Sequence, residues 1–250
     1  MKLDRSKAYI LKLLLILFLV IAINGASDEK YALNGSIGNY AKGDGIGIYL
    51  MQSNNNNIAE NSVIGNRVGI YLVMSNDSTI EENIVSNNRE YGLFLEDSNG
   101  NIIARNRIYR NVYSGISIWD SQDNLIAYNN ATSNSDGISI WDSDSNNLSN
   151  NDASHNYWWG IYQFRSDQNN FIGNNASYNG ENGLIFYDSS RNTINGNIAS
   201  NNLGIGGGIC FYNSSGNYIA SNNATNNSYG GVQFYKSYYN TLIENNITAN

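Results

Sequence analysis

The sequence predicts an all-β fold: a single-stranded right-handed parallel β-helix of about nine coils. Three observations predict this fold class. Glycines recur every 22 to 25 residues from Gly47 to Gly231, each repeat holds three short apolar segments, and Ser and Asn separate those segments. The heptapeptide Gly-Ile-Ser-Ile-Trp-Asp-Ser even occurs twice, starting at Gly115 and at Gly137. A period of this length is typical of a solenoid, in which each unit buries its apolar face against its neighbours.

The first segment, residues 1–26, is predicted to be a signal peptide. Four basic residues precede an apolar run over residues 13–23, and small residues follow that run. The run is too short to cross a bilayer, which needs ~20 apolar residues, but it fits the apolar region of a secretory signal. An uncleaved anchor is the alternative. We therefore expect a secreted, extracellular or cell-envelope protein.

The composition narrows the classes of partner. The chain carries a net charge of −7, and loss of residues 1–26 takes the charge to −10. An acidic chain with scattered basic residues argues against nucleic acid and anionic membrane surfaces as partners. Cys210 is the only cysteine, so no internal disulfide is expected. The absence of proline fits a chain that needs its backbone N–H groups in β-ladders.

Before the repeats, residues 27–46 are predicted to form an incomplete first coil that caps the solenoid. Asn34, Ser36 and Asn39 reproduce the spacing of the second half of a repeat. The repeat domain itself is expected to cover residues 47–250.

Each repeat begins with a predicted strand directly after its glycine. In the heptapeptide, Ile116 and Ile118 alternate with polar residues, which is the period of a strand with one buried face. We call the equivalent positions of successive repeats a column. The column of Ile118 is otherwise apolar, and Gln163 is its one polar member. A shifted register that turns Phe164 inward is the preferred explanation, and a buried amide with hydrogen-bond partners is the alternative.

The rest of each repeat contains two further apolar columns between polar corners. In the fourth repeat these positions are Ser121, Ile126, Asn129, Ala131 and Asn134. We expect the two Asn columns at corners, because Asn tolerates left-handed backbone and its amide can bond corner backbone. Stacked amides can also bond each other along the axis. A leucine-rich repeat has a similar period, but it needs a helix or an extended arc on one side, and no segment here has helical periodicity.

The repeat pattern Gly-Ile-x-Ile-x-x-Ser, then Asn-x-x-Ile-x-x-Asn-x-Ala-x-x-Asn, resembles the parallel β-helix repeats of NosD-type proteins. These belong to the broader pectin-lyase-like superfamily and occur in prokaryotic and archaeal cell-surface proteins. The resemblance covers residues 47–250 and implies the fold. It implies little about function, because lyases, hydrolases and inert surface modules all share this scaffold. NosD proteins are linked by name to copper. His155, Cys210 and the three Met residues form no cluster, so copper chemistry does not carry over to this chain.

The first candidate site is an aromatic column four residues after the repeat glycine. Its members are Trp119, Trp141, Phe164, Tyr187, Tyr212 and Tyr235. By alternation these side chains point outward, where aromatic rings can stack against sugars. The other interpretation is that the rings stack on each other and stabilise the sheet by ~0.5–1.5 kcal/mol per pair. Both interpretations can hold together, since an exposed aromatic stripe is unusual on an inert surface.

The second candidate site is a charged column one residue further on. Its members are Asp97, Asp120, Asp142, Arg165 and Asp188. Carboxylates stacked at the strand spacing repel by about 1 kcal/mol in a water-like medium and by ~3–4 kcal/mol at an effective dielectric near 20. A Ca²⁺ ion held by Asp97, Asp120 and Asp142 would relieve this repulsion, and Arg165 can pair with Asp142 and Asp188.

The resemblance to β-helix enzymes implies that these five charged residues are catalytic candidates. Such lyases use calcium-binding acids with a basic residue, and such hydrolases use clustered aspartates. The alternative is a solvated turn whose charges keep the sheet edge soluble. The absence of a second basic residue near Arg165 in the repeat counts against a lyase.

The function predicted from these features is a secreted or cell-surface module without catalytic activity. It would be structural, carbohydrate-binding or both, acting through its aromatic and acidic face on an extracellular polysaccharide or a cell-envelope component. The alternative is a polysaccharide-processing enzyme, either a lyase or a glycoside hydrolase.

The last repeat suggests a further kind of partner. Val232, Phe234, Leu242 and Ile247 are predicted core residues with no following coil to cover them. Solenoids ordinarily end in a polar cap, because an open coil exposes apolar core and unpaired strand edges. We therefore expect either end-to-end self-association or a solenoid that continues in a longer protein.

Overall fold

The computed structural model of the protein describes residues 36–205 and 207–250. These residues form 24 short strands and contain no helix, so none of them belongs to a helix able to cross a membrane. The strands make three parallel sheets of ten, five and nine strands. The predicted all-β solenoid is confirmed.

Each coil contributes one strand to each of the two longer sheets. The ten-stranded sheet consists of β1 (Ser36–Ile37), β4 (Asn57–Ala59), β7 (Thr79–Glu81), β10 (Ile102–Ala104), β13 (Leu125–Ala127), β16 (Asn147–Ser149), β18 (Asn170–Ile172), β20 (Thr193–Asn195), β22 (Tyr218–Ala220) and β24 (Thr241–Ile243). The nine-stranded sheet, which we call the aromatic sheet, consists of β3 (Ile46–Met51), β6 (Val68–Val73), β9 (Leu93–Glu96), β12 (Ile116–Trp119), β15 (Ile138–Trp141), β17 (Ile161–Phe164), β19 (Leu184–Tyr187), β21 (Ile209–Tyr212) and β23 (Val232–Tyr235).

The five-stranded sheet covers only the first half of the solenoid. Its strands are β2 (Tyr40–Ala41), β5 (Ser62–Ile64), β8 (Ile84–Ser86), β11 (Arg107–Tyr109) and β14 (Asn130–Thr132). Beyond β14 this side continues as isolated parallel bridges, from Asn130 paired with Asp152 to Asn223 paired with Asn246.

Equivalent positions of successive repeats lie side by side. In the two copies of the heptapeptide, Ile116 pairs with Ile138 and Trp119 with Trp141. Residues 36–41 add β1 and β2 to two of the sheets, and the Asn39 amide donates to Asn61 as in later coils. The predicted signal peptide, 1–26, and residues 27–35 of the predicted cap lie outside the described residues.

The three apolar columns fill the interior of the coil. In the fourth coil the three columns are represented by Ile118, Ile126 and Ala131. All three side chains are fully buried. In the ninth coil, by contrast, Phe234 and Leu242 are 37% and 45% exposed. End-to-end association through this coil stays a prediction.

Gln163 corrects the predicted register of the sixth coil. It pairs with Ile140 on one side and Phe186 on the other, so the register is not shifted and Phe164 stays on the outer face. Gln163 is fully buried, its amide donates to the carbonyl of Ser166, and its oxygen accepts from Asn169 at 3.4 Å. The alternative, a buried amide with partners, is confirmed.

The repeat glycine is required by close packing of the backbone. A Cβ atom on Gly137 would lie 2.5 Å from the carbonyl oxygen of Gly160 and 2.8 Å from the Cβ of Ala153. Similarly short approaches to the next coil recur from Gly47 to Gly208. The column is glycine because neither the next coil nor the core leaves room for a side chain.

Buried asparagine amides join neighbouring coils. The Asn129 side-chain NH₂ donates to Asn151 Oδ1 at 3.0 Å and to the carbonyl of Ile103 at 2.8 Å, while its backbone N–H donates to the same Asn151 oxygen at 3.0 Å. The predicted amide stacking is confirmed. The predicted left-handed backbone is wrong for Asn129, because the positive φ of 57° belongs to Tyr128, one residue earlier.

Two further ladders reinforce the corners. One is a third polar column that the two-column prediction omitted, with Ser in the second coil and Asn in the others: Asn56, Ser78, Asn101, Asn124, Asn146, Asn169, Asn192, Asn217 and Asn240. The other is the serine column at the ends of the aromatic-sheet strands, where the Ser121 N–H donates to Ser143 Oγ at 3.0 Å.

Candidate functional site on the aromatic sheet

The outer face of the aromatic sheet carries one unbroken run of aromatic rings. We call it the aromatic track, and its members are Tyr49, Tyr71, Phe94, Trp119, Trp141, Tyr162, Phe164, Tyr187, Tyr212 and Tyr235. Successive ring centroids along the nine coils lie 4.6 to 5.9 Å apart. All six predicted aromatic residues belong to this track.

The rings of the aromatic track pack against each other, and their side chains are also partly exposed to solvent. Tyr187, Tyr212 and Tyr235 are stacked in parallel, with centroids 4.7 and 4.6 Å apart. Trp119, Trp141, Phe164, Tyr187 and Tyr212 are half-buried, and Tyr235 is exposed. The packing interpretation is confirmed, whereas sugar binding by these rings stays a prediction.

Halfway along the solenoid, the rings of the track move to a different position within their strands. In the first three coils the rings stand two residues after the glycine, as Tyr49 does, and from Trp119 onward they stand mainly four residues after it. In the two identical heptapeptides the earlier position holds Ser117 and Ser139 instead of a ring. These small side chains leave space between the neighbouring aromatic residues.

A recess of about 250 Å³ lies at this point of the sheet. It is lined by Tyr91, Tyr113, Ser114, Trp119, Ser135, Asp136, Ser139 and Trp141. The recess therefore joins four aromatic residues, three serines and a single carboxylate. Concave sites with a mostly apolar wall and a few convergent polar groups are the usual form of small-molecule sites.

Serine hydroxyls form a hydrogen-bonded chain beside the recess. Ser139 Oγ donates to Ser117 Oγ at 2.9 Å, Ser114 Oγ lies 2.9 Å from Ser139 Oγ, and Ser114 Oγ donates to Asp136 Oδ2 at 3.5 Å. The three serines are buried. The indole N–H of Trp119 is also buried and has no hydrogen-bond partner among the described residues.

Asp136 is the ionisable group of the recess. Burial raises the pKa of its carboxyl from 3.8 to about 6, against smaller opposing effects of the Trp159 backbone N–H and the Ser114 hydroxyl. Both hydrogen bonds are long, 3.4 and 3.5 Å. None of the ion pairs among the described residues includes Asp136. The carboxylate is thus largely charged at neutral pH without a cationic partner.

Sequence reasoning missed Asp136, although a signal was present. The residues that directly precede the nine repeat glycines are Ile46, Val68, Tyr91, Ser114, Asp136, Trp159, Asn182, Gly207 and Gly230. Asp136 is the only charged residue in this column.

The predicted charged column occupies a left-handed turn at the edge of the aromatic sheet. Its five members, Asp97, Asp120, Asp142, Arg165 and Asp188, have φ between 45° and 49°. Gln52, Met74, Asn213 and Lys236 take the same conformation in the other coils. Aspartate is favoured in such turns because it tolerates a positive φ, so backbone geometry alone accounts for the acidic bias.

Of the two ion pairs predicted for Arg165, the structure contains the one with Asp142. Arg165 forms an ion pair with Asp142 at 2.6 Å, and its guanidinium lies 4.7 Å from the ring centroid of Phe164. Asp188 accepts a hydrogen bond from the Asn213 amide, and no ion pair between Arg165 and Asp188 is found among the described residues. Burial, followed by the charges of Asp142 and Asp97, raises the pKa of Asp120, and Arg165 opposes that rise.

The acidic row does not provide a chelating metal site. Between residues 36 and 250, apart from 206, no group of three or more His, Cys, Asp or Glu side chains is arranged to hold a metal ion. Asp97, Asp120 and Asp142 supply one carboxylate per coil, whereas Ca²⁺ takes six to eight oxygen ligands. This geometry gives the calcium hypothesis no support, and it stays a prediction.

The residues suited to copper are also dispersed. His155 is exposed, hydrogen-bonds to Ser154 at 2.9 Å and stacks on Tyr178 with ring centroids 5.1 Å apart. Cys210 is fully buried, and this burial raises the pKa of its thiol to about 11, which disfavours the thiolate that binds metals. The described residues do not fit a copper site.

Solved structures with a similar fold include polysaccharide-modifying enzymes. The periplasmic alginate epimerase AlgG matches with a TM-score of 0.67 at 17% identity, over 88% of this chain and 64% of AlgG. The A-module of the Azotobacter vinelandii mannuronan C-5 epimerase AlgE4 matches with a TM-score of 0.61 at 16% identity, over 90% of this chain and 83% of the module. ORF18 of Geobacillus virus E2 matches with a TM-score of 0.70 at 12% identity, over 87% and 50% of the two chains.

At these identities the likeness concerns the fold alone, and the chain spans slightly less than two thirds of AlgG. None of the curated proteins compared matches this sequence. Two family models do match it. The one described as periplasmic copper-binding protein (NosD) covers residues 21–157, and the one for the right-handed β-helix region covers residues 105–248. Each match spans more than half of the sequence, so the chain belongs to the NosD family and is a right-handed β-helix protein.

Proposed function

We propose that this protein is an extracytoplasmic module that binds an extended polysaccharide along its aromatic track without processing it. The observation that carries the proposal is the recess in the middle of the track. There Asp136 lies among the rings of Tyr91, Tyr113, Trp119 and Trp141. Aromatic faces suit the apolar faces of sugar rings, and the carboxylate and serine hydroxyls suit sugar hydroxyl groups.

The shape of the track supports an extended ligand. Parallel strands lie ~4.8 Å apart, so the rings recur at a short and regular interval along the solenoid axis. The rings are held by their own contacts, and a ligand would therefore meet an already ordered surface. The acidic row at the edge of the same sheet disfavours polyanions.

The cellular location is part of this proposal. Residues 1–26 have the pattern of a signal peptide, and the NosD family is described as periplasmic. Exposure to envelope or extracellular polysaccharide follows from that location.

Affinity electrophoresis through gels that contain neutral, acidic or cationic polysaccharides would test the proposal. We expect at least one neutral or cationic polymer to retard the protein, and a Trp119→Ala/Trp141→Ala double variant to lose most of that retardation. Tyr128→Ala removes an exposed ring outside the track and is the matched control. Normal mobility of the parent in every gel would refute the proposal.

A second candidate function is cleavage or modification of the bound polysaccharide. One observation favours it: the Asp136 carboxyl has a pKa of about 6, within the range that suits a general acid or base. The described residues around the recess supply one carboxylate rather than the pair that glycoside hydrolysis uses. Incubation with polysaccharides, with and without Ca²⁺, would decide, because new chain ends that form with the parent but not with Asp136→Asn would establish catalysis.

A further inference from the structure

The recess combines a half-buried carboxylate with aromatic walls, and this combination selects a chemical class of ligand. Asp136 takes part in no ion pair with the described residues, and its two hydrogen bonds are at the long limit. A desolvated carboxylate without a countercharge is unfavourable. A cationic group bound in the recess would relieve this cost.

The walls indicate which kind of cation fits. Hydrated metal ions need several oxygen ligands, and the recess offers one carboxylate and a few hydroxyl groups. Aromatic faces instead attract organic ammonium groups, most strongly at Trp and where water is excluded. Trp119, Trp141, Tyr91 and Tyr113 provide four such rings around a single negative charge.

We propose that the recess binds the ammonium group of an amino sugar within a polysaccharide chain. This inference rests on the proposed function, because it names the sugar class taken by the same face. Asp136 pairs with the ammonium group, and Trp119 and Trp141 pack against the sugar ring. Neighbouring sugar units lie over the track on either side, towards Phe94 and Phe164.

The polar groups of the recess are consistent with a sugar rather than a bare cation. The hydroxyl oxygens of buried Ser114 and Ser139 lie 2.9 Å apart, Ser114 donates to Asp136, and each hydroxyl has a further lone pair for a ligand hydroxyl group. A volume of about 250 Å³ accommodates a single sugar unit rather than a long segment.

The experiment compares two oligosaccharides that differ only at the amino group, which is free and basic in one and acetylated and uncharged in the other. Oligomers of glucosamine and of N-acetylglucosamine, equal in length, are titrated calorimetrically into the parent at about pH 6.5, just above the pKa of Asp136. We expect the glucosamine oligomer to bind about tenfold tighter, a factor that corresponds to ~1.4 kcal/mol. Asp136→Asn should remove this preference, so that the variant binds the two oligomers with equal affinity.

Asp123→Asn is the control, because it removes an equal charge from an exposed turn. Equal affinities of the parent for the two oligomers, or a preference that survives in Asp136→Asn, would overturn the inference. If neither oligomer nor any polymer of the gel panel binds, the proposed function itself fails. Tetramethylammonium and a lysine-rich peptide complete the series, and binding of either without binding of the glucosamine oligomer would overturn the assignment to a sugar.

Discussion

At the scale of single residues, buried amides hold neighbouring coils together. Asn129 is almost fully buried and bonds both to Asn151 and to the carbonyl of Ile103, whereas the adjacent Asn130 is exposed. Asn129→Ala should lower the free energy of unfolding by ~1–3 kcal/mol, because it leaves buried partners unpaired. Asn130→Ala is the control and should change stability little. Equal unfolding midpoints in urea for the two variants would contradict this account.

Also at this scale, Asp136 links pH to stability. Its folded pKa of about 6 exceeds the ordinary 3.8, so between these values the folded state holds a proton that the unfolded state releases. The contribution of Asp136 to stability is therefore complete below pH 3.8 and is lost as the pH rises to about 6. Asp136→Asn should gain stability relative to the parent over this window, on the order of 1–3 kcal/mol after allowance for partial exposure. Melting temperatures of both proteins from pH 4 to 7 that run parallel would contradict the assignment.

Individual residues also show where sequence reasoning succeeds and fails. The buried asparagines were predictable, because every coil repeats them and a repeated polar residue must stack on its copies. Gln163 was misjudged, because one polar residue in an apolar column has two explanations and only its partners Ser166 and Asn169 decide between them. Asp136 was missed because its surroundings include Tyr91 and Trp141, which lie on other coils.

At the scale of the structural element, the aromatic sheet depends on stacking between its strands. Tyr212 lies between Tyr187 and Tyr235, with both rings nearly parallel to its own. Tyr212→Ala should cost ~1–3 kcal/mol, because it removes two stacked pairs of ~0.5–1.5 kcal/mol each. Tyr218→Ala removes a partly exposed tyrosine from the ten-stranded sheet and should cost less. Thermal denaturation that ranks the two variants in the opposite order would contradict a stabilising role for the track.

The same sheet shows how far a repeat pattern can locate a site. Alternation placed the six aromatic residues on the outer face correctly, because the strand period decides which side chains point outward. The recess was not predictable in this way. It arises where Ser117 and Ser139 replace rings in one column, so that residues of four successive coils meet around the gap.

At the scale of the whole molecule, each coil is stabilised by the coils directly before and after it. Backbone bonds and amide ladders connect each coil only to its neighbours, as Asn129 connects to Asn106 and Asn151. A solenoid of this kind is described by the stabilities of its units and of the interfaces between adjacent units. A defect in one ladder is therefore expected to weaken its own region more than distant coils.

Hydrogen exchange in Asn129→Ala tests this local transmission. Amide exchange should speed up most in the coils that contain Asn106, Asn129 and Asn151, because the substitution removes the side-chain hydrogen bonds that join these three coils. The coils that contain Asn61 and Asn217 lie at least two coils beyond these and should exchange almost as in the parent. Asn130→Ala again serves as the control and should leave the whole pattern unchanged. Uniform acceleration over all coils would show that the solenoid unfolds as one cooperative unit, and the nearest-neighbour description would then be wrong.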